Sequence, residues 1–240
     1  MPTTTPYPYP VFLAYRRTVT VVRPVTDLRA VRAVLFDMDG TLVNSDAAVE
    51  RAWRTWAGEY GVDPERVIRV GHGRPSWDTI REVCPDLDDA ENARAGARQL
   101  ELQYTDLADV VATAGTHRLL ATLTLPWAIV TSADRRLTAA RLGAAGITPP
   151  KVVITSEDIV RGKPDPDGYL QAAAALGVPP EACLVVEDAD AGLAAARAAG
   201  ARTAALRGLA GDVPIKTLDD LVPLLTRRVG PGRRSRAPGR

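Results

Sequence analysis

Cysteine is scarce in this 240-residue chain: Cys84 and Cys183 are the two present, far apart and in no ligand-like spacing. That argues against a disulfide framework and a zinc-thiolate site, and it suits a reducing compartment. Charge of one sign is missing too, since 30 Lys and Arg face 29 Asp and Glu for a net charge of +1. No global field therefore points toward nucleic acid or a membrane surface. No apolar run approaches the ~20 residues of a membrane span. The N-terminal stretch MPTTTPYPYPVFLAYRRTVTVV has no basic residue ahead of its short apolar patch, which makes a poor secretory signal. Together these absences predict a cytoplasmic protein. There is no internal repeat. One stretch is strongly biased, the terminal RRVGPGRRSRAPGR, and it reads as a solvated basic tail.

What is present is enough apolar residue, 46% of the chain, to bury a sizeable core. Continuous apolar runs recur: AVLF before Asp37, WAIV before Thr131, KVVIT over Lys151–Thr155, CLVV before Glu187, and RTAAL over Arg202–Leu206. Such runs suit strands buried on both faces, as in a parallel sheet. Helical patterns lie between them. Asp134 is placed to cap DRRLTAARLGAAG, Asp165 to cap the helix in DPDGYLQAAAALG with Pro166 at its first position, and Gly146, Gly177 and Gly200 follow the helix ends. The alternation predicts an α/β fold with a doubly wound, Rossmann-like parallel sheet.

Residues 47–116 differ, with helical patterns and little strand signal. Val49, Trp53, Trp56 and Tyr60 share one face of a helix stopped by Gly61, and Glu50 and Arg54 pair at i,i+4 on another. The spacing assigns the tryptophans to core packing. We expect a small helical domain over 47–116 inserted into a core formed by 31–46 and 117–226. A flexible extension, 1–30, would precede the core and a disordered tail, 227–240, would follow it. Linkers near 44–47 and 114–117, the latter holding His117, would let the helical domain open and close.

The predicted strands end in polar pairs: Asp37 with Asp39 two residues on, Thr131 with Ser132, and Glu187 with Asp188. In open α/β sheets ligands sit beyond the carboxyl ends of the strands. Like charges at the end of a buried strand are costly unless a cation lies between them. Asp37, Asp39 and Asp188 offer hard oxygens and no His or Cys, which suits Mg²⁺. Lys163, in GKPDPDGY, supplies a compact positive charge for a phosphate, and Thr131 and Ser132 supply hydroxyl and amide donors.

At this point the chain resembles the haloacid dehalogenase superfamily of phosphohydrolases. DMDGT, IVTSAD, GKPDP and VVEDADAG match its four motifs in order over Val34–Gly192. AVERAWRTWAGEYGV, GHGRP and PWAIVTSA are similar to the sugar and polyol phosphate phosphatases within it. The resemblance implies a helical cap of the first cap type and a role at each matching position. Asp37 would be the nucleophile and Asp39 the acid/base. Thr131, Ser132 and Lys163 would bind the phosphoryl group. Asp37, Asp188 and the backbone carbonyl of Asp39 would hold Mg²⁺, with Glu187 supporting the metal directly or through water. In the GHGRP loop, His72 and Arg74 would read the substrate, although a plain glycine-rich turn between helices remains the alternative.

Three positions depart from the family pattern. Asn44 stands for a frequent Asp, Ala133 for a Gly, and Asp190 for a Pro; none removes a catalytic group. The expected substrate is a small phosphate monoester such as a hexitol, 2-deoxyglucose or glycerol phosphate, turned over by a monomer. A phosphomutase and a non-catalytic phospho-metabolite-binding module are the alternatives.

Overall fold

The computed structural model describes residues 28–71 and 76–226. Most of the expected N-terminal extension, His72 and Arg74 of the GHGRP loop, and the basic tail therefore lie outside the described residues.

Six strands form a sheet: β1 (Ala33–Phe36), β4 (Trp127–Val130), β5 (Val152–Ile154), β6 (Cys183–Glu187), β7 (Arg202–Ala205) and β8 (Val213–Pro214). Their spatial order is β5-β4-β1-β6-β7-β8, and every pairing is parallel. The apolar runs divide by alternation. Val34, Phe36, Leu184 and Val186 point into one core; Ala33, Leu35, Cys183 and Val185 point into the other. The first core is closed by leucines of α5 (Thr116–Thr122), α6 (Arg135–Ala144) and α9 (Val222–Thr226). The second is closed by alanines of α7 (Asp167–Ala175) and α8 (Asp190–Ala198). Small side chains there let the two helices sit close to the sheet. Burial pushes the Cys183 thiol up to about 11, with Glu181 adding to the shift, so this cysteine is a packing residue.

Between β1 and β4 come α1 (Asp46–Tyr60), α2 (Pro64–Gly71), α3 (Ser76–Val83) and α4 (Asp89–Thr105). They share a core of their own, with Trp53, Trp56, Val67, Ile80 and Ala95. Trp53 and Trp56 meet edge to face at 5.4 Å, and the Trp56 indole N–H donates to the Ala95 carbonyl at 2.9 Å. Glu50 and Arg54 pair as the spacing predicts. Gly61, at φ 65°, ends α1 in the left-handed conformation, which only glycine adopts without strain. Asp88 and Glu91 form a reciprocal capping box at the start of α4.

Several boundaries differ from expectation. Where the chain leaves and re-enters the sheet, β2 (Val43–Asn44) pairs antiparallel with β3 (Val111–Ala112). Neither was legible, because two residues carry no period. The same brevity hid β8. The helix α7 begins at Asp167, with Pro166 at the cap position; Asp165 instead accepts the Asp167 N–H at 3.1 Å, one residue earlier than a helix cap would. Asp134 caps α6 as predicted, accepting the Leu137 N–H at 2.7 Å.

Candidate active site

The chain winds from β1 to β4 and β5 on one side of the sheet, then crosses to β6, β7 and β8 on the other. The reversal falls at β1, so the carboxyl ends of β4, β1 and β6 lie side by side at the switch point. Asp37 continues β1, its N–H donating to the Val186 carbonyl at 3.0 Å. Beyond it the chain turns sharply at Gly40, at φ 78°. A Cβ on Gly40 would lie 2.0 Å from Asp188 Oδ2, so the loop passes over the carboxylates only because this residue is glycine.

Asp37, Glu187 and Asp188 are all buried and offer oxygens within 4.8 Å of one another. Lys163 lies among them. Its Nζ contacts Asp37 and donates to Glu187 Oε1 at 2.7 Å. Burial pushes the Asp37 carboxyl well up; Lys163 opposes this, and the neighbouring Glu187 and Asp188 charges add to it. Burial works against the Lys163 charge, but Asp37 and Glu187 more than offset it and hold its pKa above the ordinary lysine value. Glu187 has no idle oxygen. Oε1 accepts from Lys163 and from the Tyr169 hydroxyl, each at 2.7 Å, and Oε2 accepts the N–H groups of Asp188 and Ala189 at 3.1 and 3.2 Å. Burial, reinforced by the Glu187 and Asp37 charges, raises the Tyr169 phenol well above its usual range, so it remains a donor.

Asp188 accepts from Thr41 at 3.5 Å and meets Arg207 Nε at 2.8 Å. Arg207 also reaches Asp46, at 2.8 Å, from a left-handed backbone at φ 54°. The Asp39 carboxylate faces elsewhere. Ser45 donates to its Oδ1 at 2.6 Å, and Arg141 Nη1 meets Oδ2 at 2.8 Å. Thr131 is buried, its Oγ1 accepting the Ala133 N–H at 3.1 Å.

A cavity of about 310 Å³ opens over these groups. The sheet side contributes Asp37, Asp39, Thr131 and Ser132, and the helices opposite contribute Trp53, Ile68 and Gln103. The structure thus brings together every sequence-predicted residue it describes. Sequence reasoning missed Ser45, Arg141, Tyr169 and Arg207. Each meets its partner at a separation or angle that no local pattern encodes.

The site fits a divalent cation. Three buried carboxylates outnumber the lysine among them, and hard oxygens form the whole donor set. Among the departures from the family pattern, Asp190 lies exposed in the first turn of α8 and Asn44 lies exposed in β2, so neither reaches the buried cluster.

Comparison with known proteins agrees with this geometry. Hexitol phosphatase A of Escherichia coli is 40% identical over 194 residues, covering 80% of this chain and 89% of that protein. 2-Deoxyglucose-6-phosphate phosphatase 1 of Saccharomyces cerevisiae is 35% identical over 189 residues, covering 70% and 77%. The crystal structure of a hydrolase from Pseudomonas syringae superposes with a TM-score of 0.67 at 28% identity, covering 72% of this chain and 83% of that one. The family described as haloacid dehalogenase-like hydrolase matches residues 31–200, and the chain belongs to it.

Proposed function

We propose that the protein is a Mg²⁺-dependent phosphatase that releases inorganic phosphate from small phosphorylated sugars or polyols. The observation that carries this reading is that Asp37, Asp39 and Asp188 line one cavity while Lys163 is in contact with Asp37. The named phosphatase relatives support the substrate class.

Asp37, Asp188 and the backbone carbonyl of Asp39 would hold the ion, which when bound supplies charge neutralisation between the carboxylates and the incoming phosphate. Asp37 attacks phosphorus, and the ester oxygen leaves with a proton from Asp39. Water then attacks the aspartyl-phosphate and gives its proton to Asp39, which regenerates the Asp37 carboxylate and frees phosphate. Lys163, Thr131 and Ser132 hold the phosphoryl oxygens, so the work is placement and charge compensation. With four donors on its two oxygens, Glu187 orients Lys163 and needs no direct bond to the ion. Residues 47–116 act as the cap, and Trp53 and Ile68 help keep water from the reaction. We place the enzyme in the cytoplasm, a reducing compartment that suits its two free cysteines, and read it as a monomer.

The test is phosphate release from a panel containing hexitol, 2-deoxyglucose and glycerol phosphates, with Mg²⁺ or with EDTA. Release should need the ion, and Asp37→Asn should lower it at least a thousandfold with the fold retained. An isomeric sugar phosphate in place of free phosphate would instead identify a mutase, and no turnover of any ester would remove the reading.

A further inference from the structure

Arg141 belongs to no motif, yet it is 2% exposed, on a helix face it shares with the buried Leu137 and Thr138. Burying a guanidinium is costly, and even a paired one contributes little to stability compared with an apolar residue. Its contacts point to a different reason for its presence. Nη1 lies 2.8 Å from Asp39 Oδ2, and Nη2 donates to Gln103 Oε1 at 2.6 Å. Gln103 Nε2 donates in turn to Gln99 Oε1, which also accepts from Ser76 Oγ at 2.8 Å. Gln99 and Gln103 stand on α4 and Ser76 opens α3, so the chain of contacts crosses from the sheet to the helices above it.

We infer that Arg141 is a positioning residue that fixes the Asp39 carboxyl group toward the leaving oxygen, and that Gln103 of α4 holds Arg141 in register. This rests on the acid/base role proposed for Asp39. With Oδ2 engaged by the guanidinium, Oδ1 is the oxygen that carries the transferred proton. Ser45 donates to Oδ1 at 2.6 Å, and because that oxygen has a second lone-pair position, it keeps this hydrogen bond while carrying the proton toward the leaving oxygen. Arginine suits this place because its planar fork addresses two acceptors at once; a lysine ammonium has no such fork. Docking of α4 thereby becomes part of assembling the proton donor.

The test separates leaving groups. An alkyl ester such as sorbitol 6-phosphate needs a proton on its departing oxygen. p-Nitrophenyl phosphate releases a stable phenolate and does not. The ratio kcat/KM reports only steps through phosphoryl transfer to Asp37, so later hydrolysis of the intermediate does not enter. Arg141→Lys should lower kcat/KM for the alkyl ester about 10- to 100-fold and for p-nitrophenyl phosphate less than threefold. Gln103→Leu should show the same split more weakly. Asp39→Asn, as the reference, should show the largest. Equal losses on both esters in Arg141→Lys, or no loss in either, would overturn the inference while Asp39→Asn still shows its split. No split in Asp39→Asn would overturn the acid assignment and this inference together. Circular dichroism and melting curves confirm that each variant is folded.

Discussion

Glu187 shows how far a site reaches beyond the groups that touch substrate. It ends β6, faces the second core, and fixes Lys163 by a contact that depends on Gly192 in α8. A Cβ on Gly192 would stand 1.7 Å from Glu187 Oε1. Helix propensity alone favours alanine over glycine by about 1 kcal/mol. Here that gain is overtaken, because a displaced Glu187 leaves Lys163 with one anion fewer in a buried place, and breaking a buried pair costs about 3–5 kcal/mol. Gly192→Ala is therefore expected to lower stability by about 2–4 kcal/mol in urea melts. It should also cut kcat/KM at least tenfold on alkyl and aryl phosphates alike, because the role proposed for Lys163 is on the phosphoryl group common to both. Retained stability with full activity would show that Glu187 shifts freely.

Among the elements, legibility in the sequence followed length and locality. The strands β1, β4 and β6 each carry four unbroken apolar residues, and their polar ends announced Asp37, Thr131 and Asp188. The strands β2, β3 and β8 have two residues each and exist through partners far along the chain. Arg141 was hidden for the same reason: an arginine in an alanine-rich helix reads as solvated until α4 is seen to cover it. The join between α4 and α6 holds a second such contact. The Tyr104 hydroxyl donates to Asp134, the cap of α6, while Arg136 lies 4.0 Å over the Tyr104 ring. Burial, then the hydrogen bond to Asp134, pushes the Tyr104 phenol up to about 12. An unfolded tyrosine ionises near pH 10, at about its reference value. The contribution of this contact is thus complete below pH 10 and is lost as pH rises toward 12. Tyr104→Phe should cost about 1 kcal/mol at pH 8 in urea unfolding. The gap to the parent protein should narrow by pH 11.5; a constant gap would mean that the hydroxyl contributes nothing beyond packing.

Across the whole molecule, a cation held by the cluster of Asp37, Glu187 and Asp188, as proposed, would couple metal binding to folding. Asp37 follows β1 while Glu187 and Asp188 lie at the end of β6, so they meet only when the sheet is formed, and the proposed ion site exists in the native state alone. A ligand that binds only the folded form stabilises it by about 2.7 kcal/mol at one hundred times its dissociation constant. For a chain of this size, 1 kcal/mol moves Tm by about 2–4 °C, so saturating Mg²⁺ should raise Tm by about 5–10 °C over NaCl of equal ionic strength. Asp37→Asn sets two effects against each other. It removes a like charge from a buried cluster but also takes one of the two anions from Lys163, which keeps Glu187 at 2.7 Å, so the ion-free variant should melt within about 4 °C of the ion-free parent. Its response to Mg²⁺ should fall below a third of the parent's, because one of the two carboxylates assigned to the ion is gone. Differential scanning calorimetry of both proteins, in EDTA and in Mg²⁺, decides the matter. An equal rise in Asp37→Asn would place the ion elsewhere in the molecule, and no rise in the parent would leave the three carboxylates without the cation that their burial calls for.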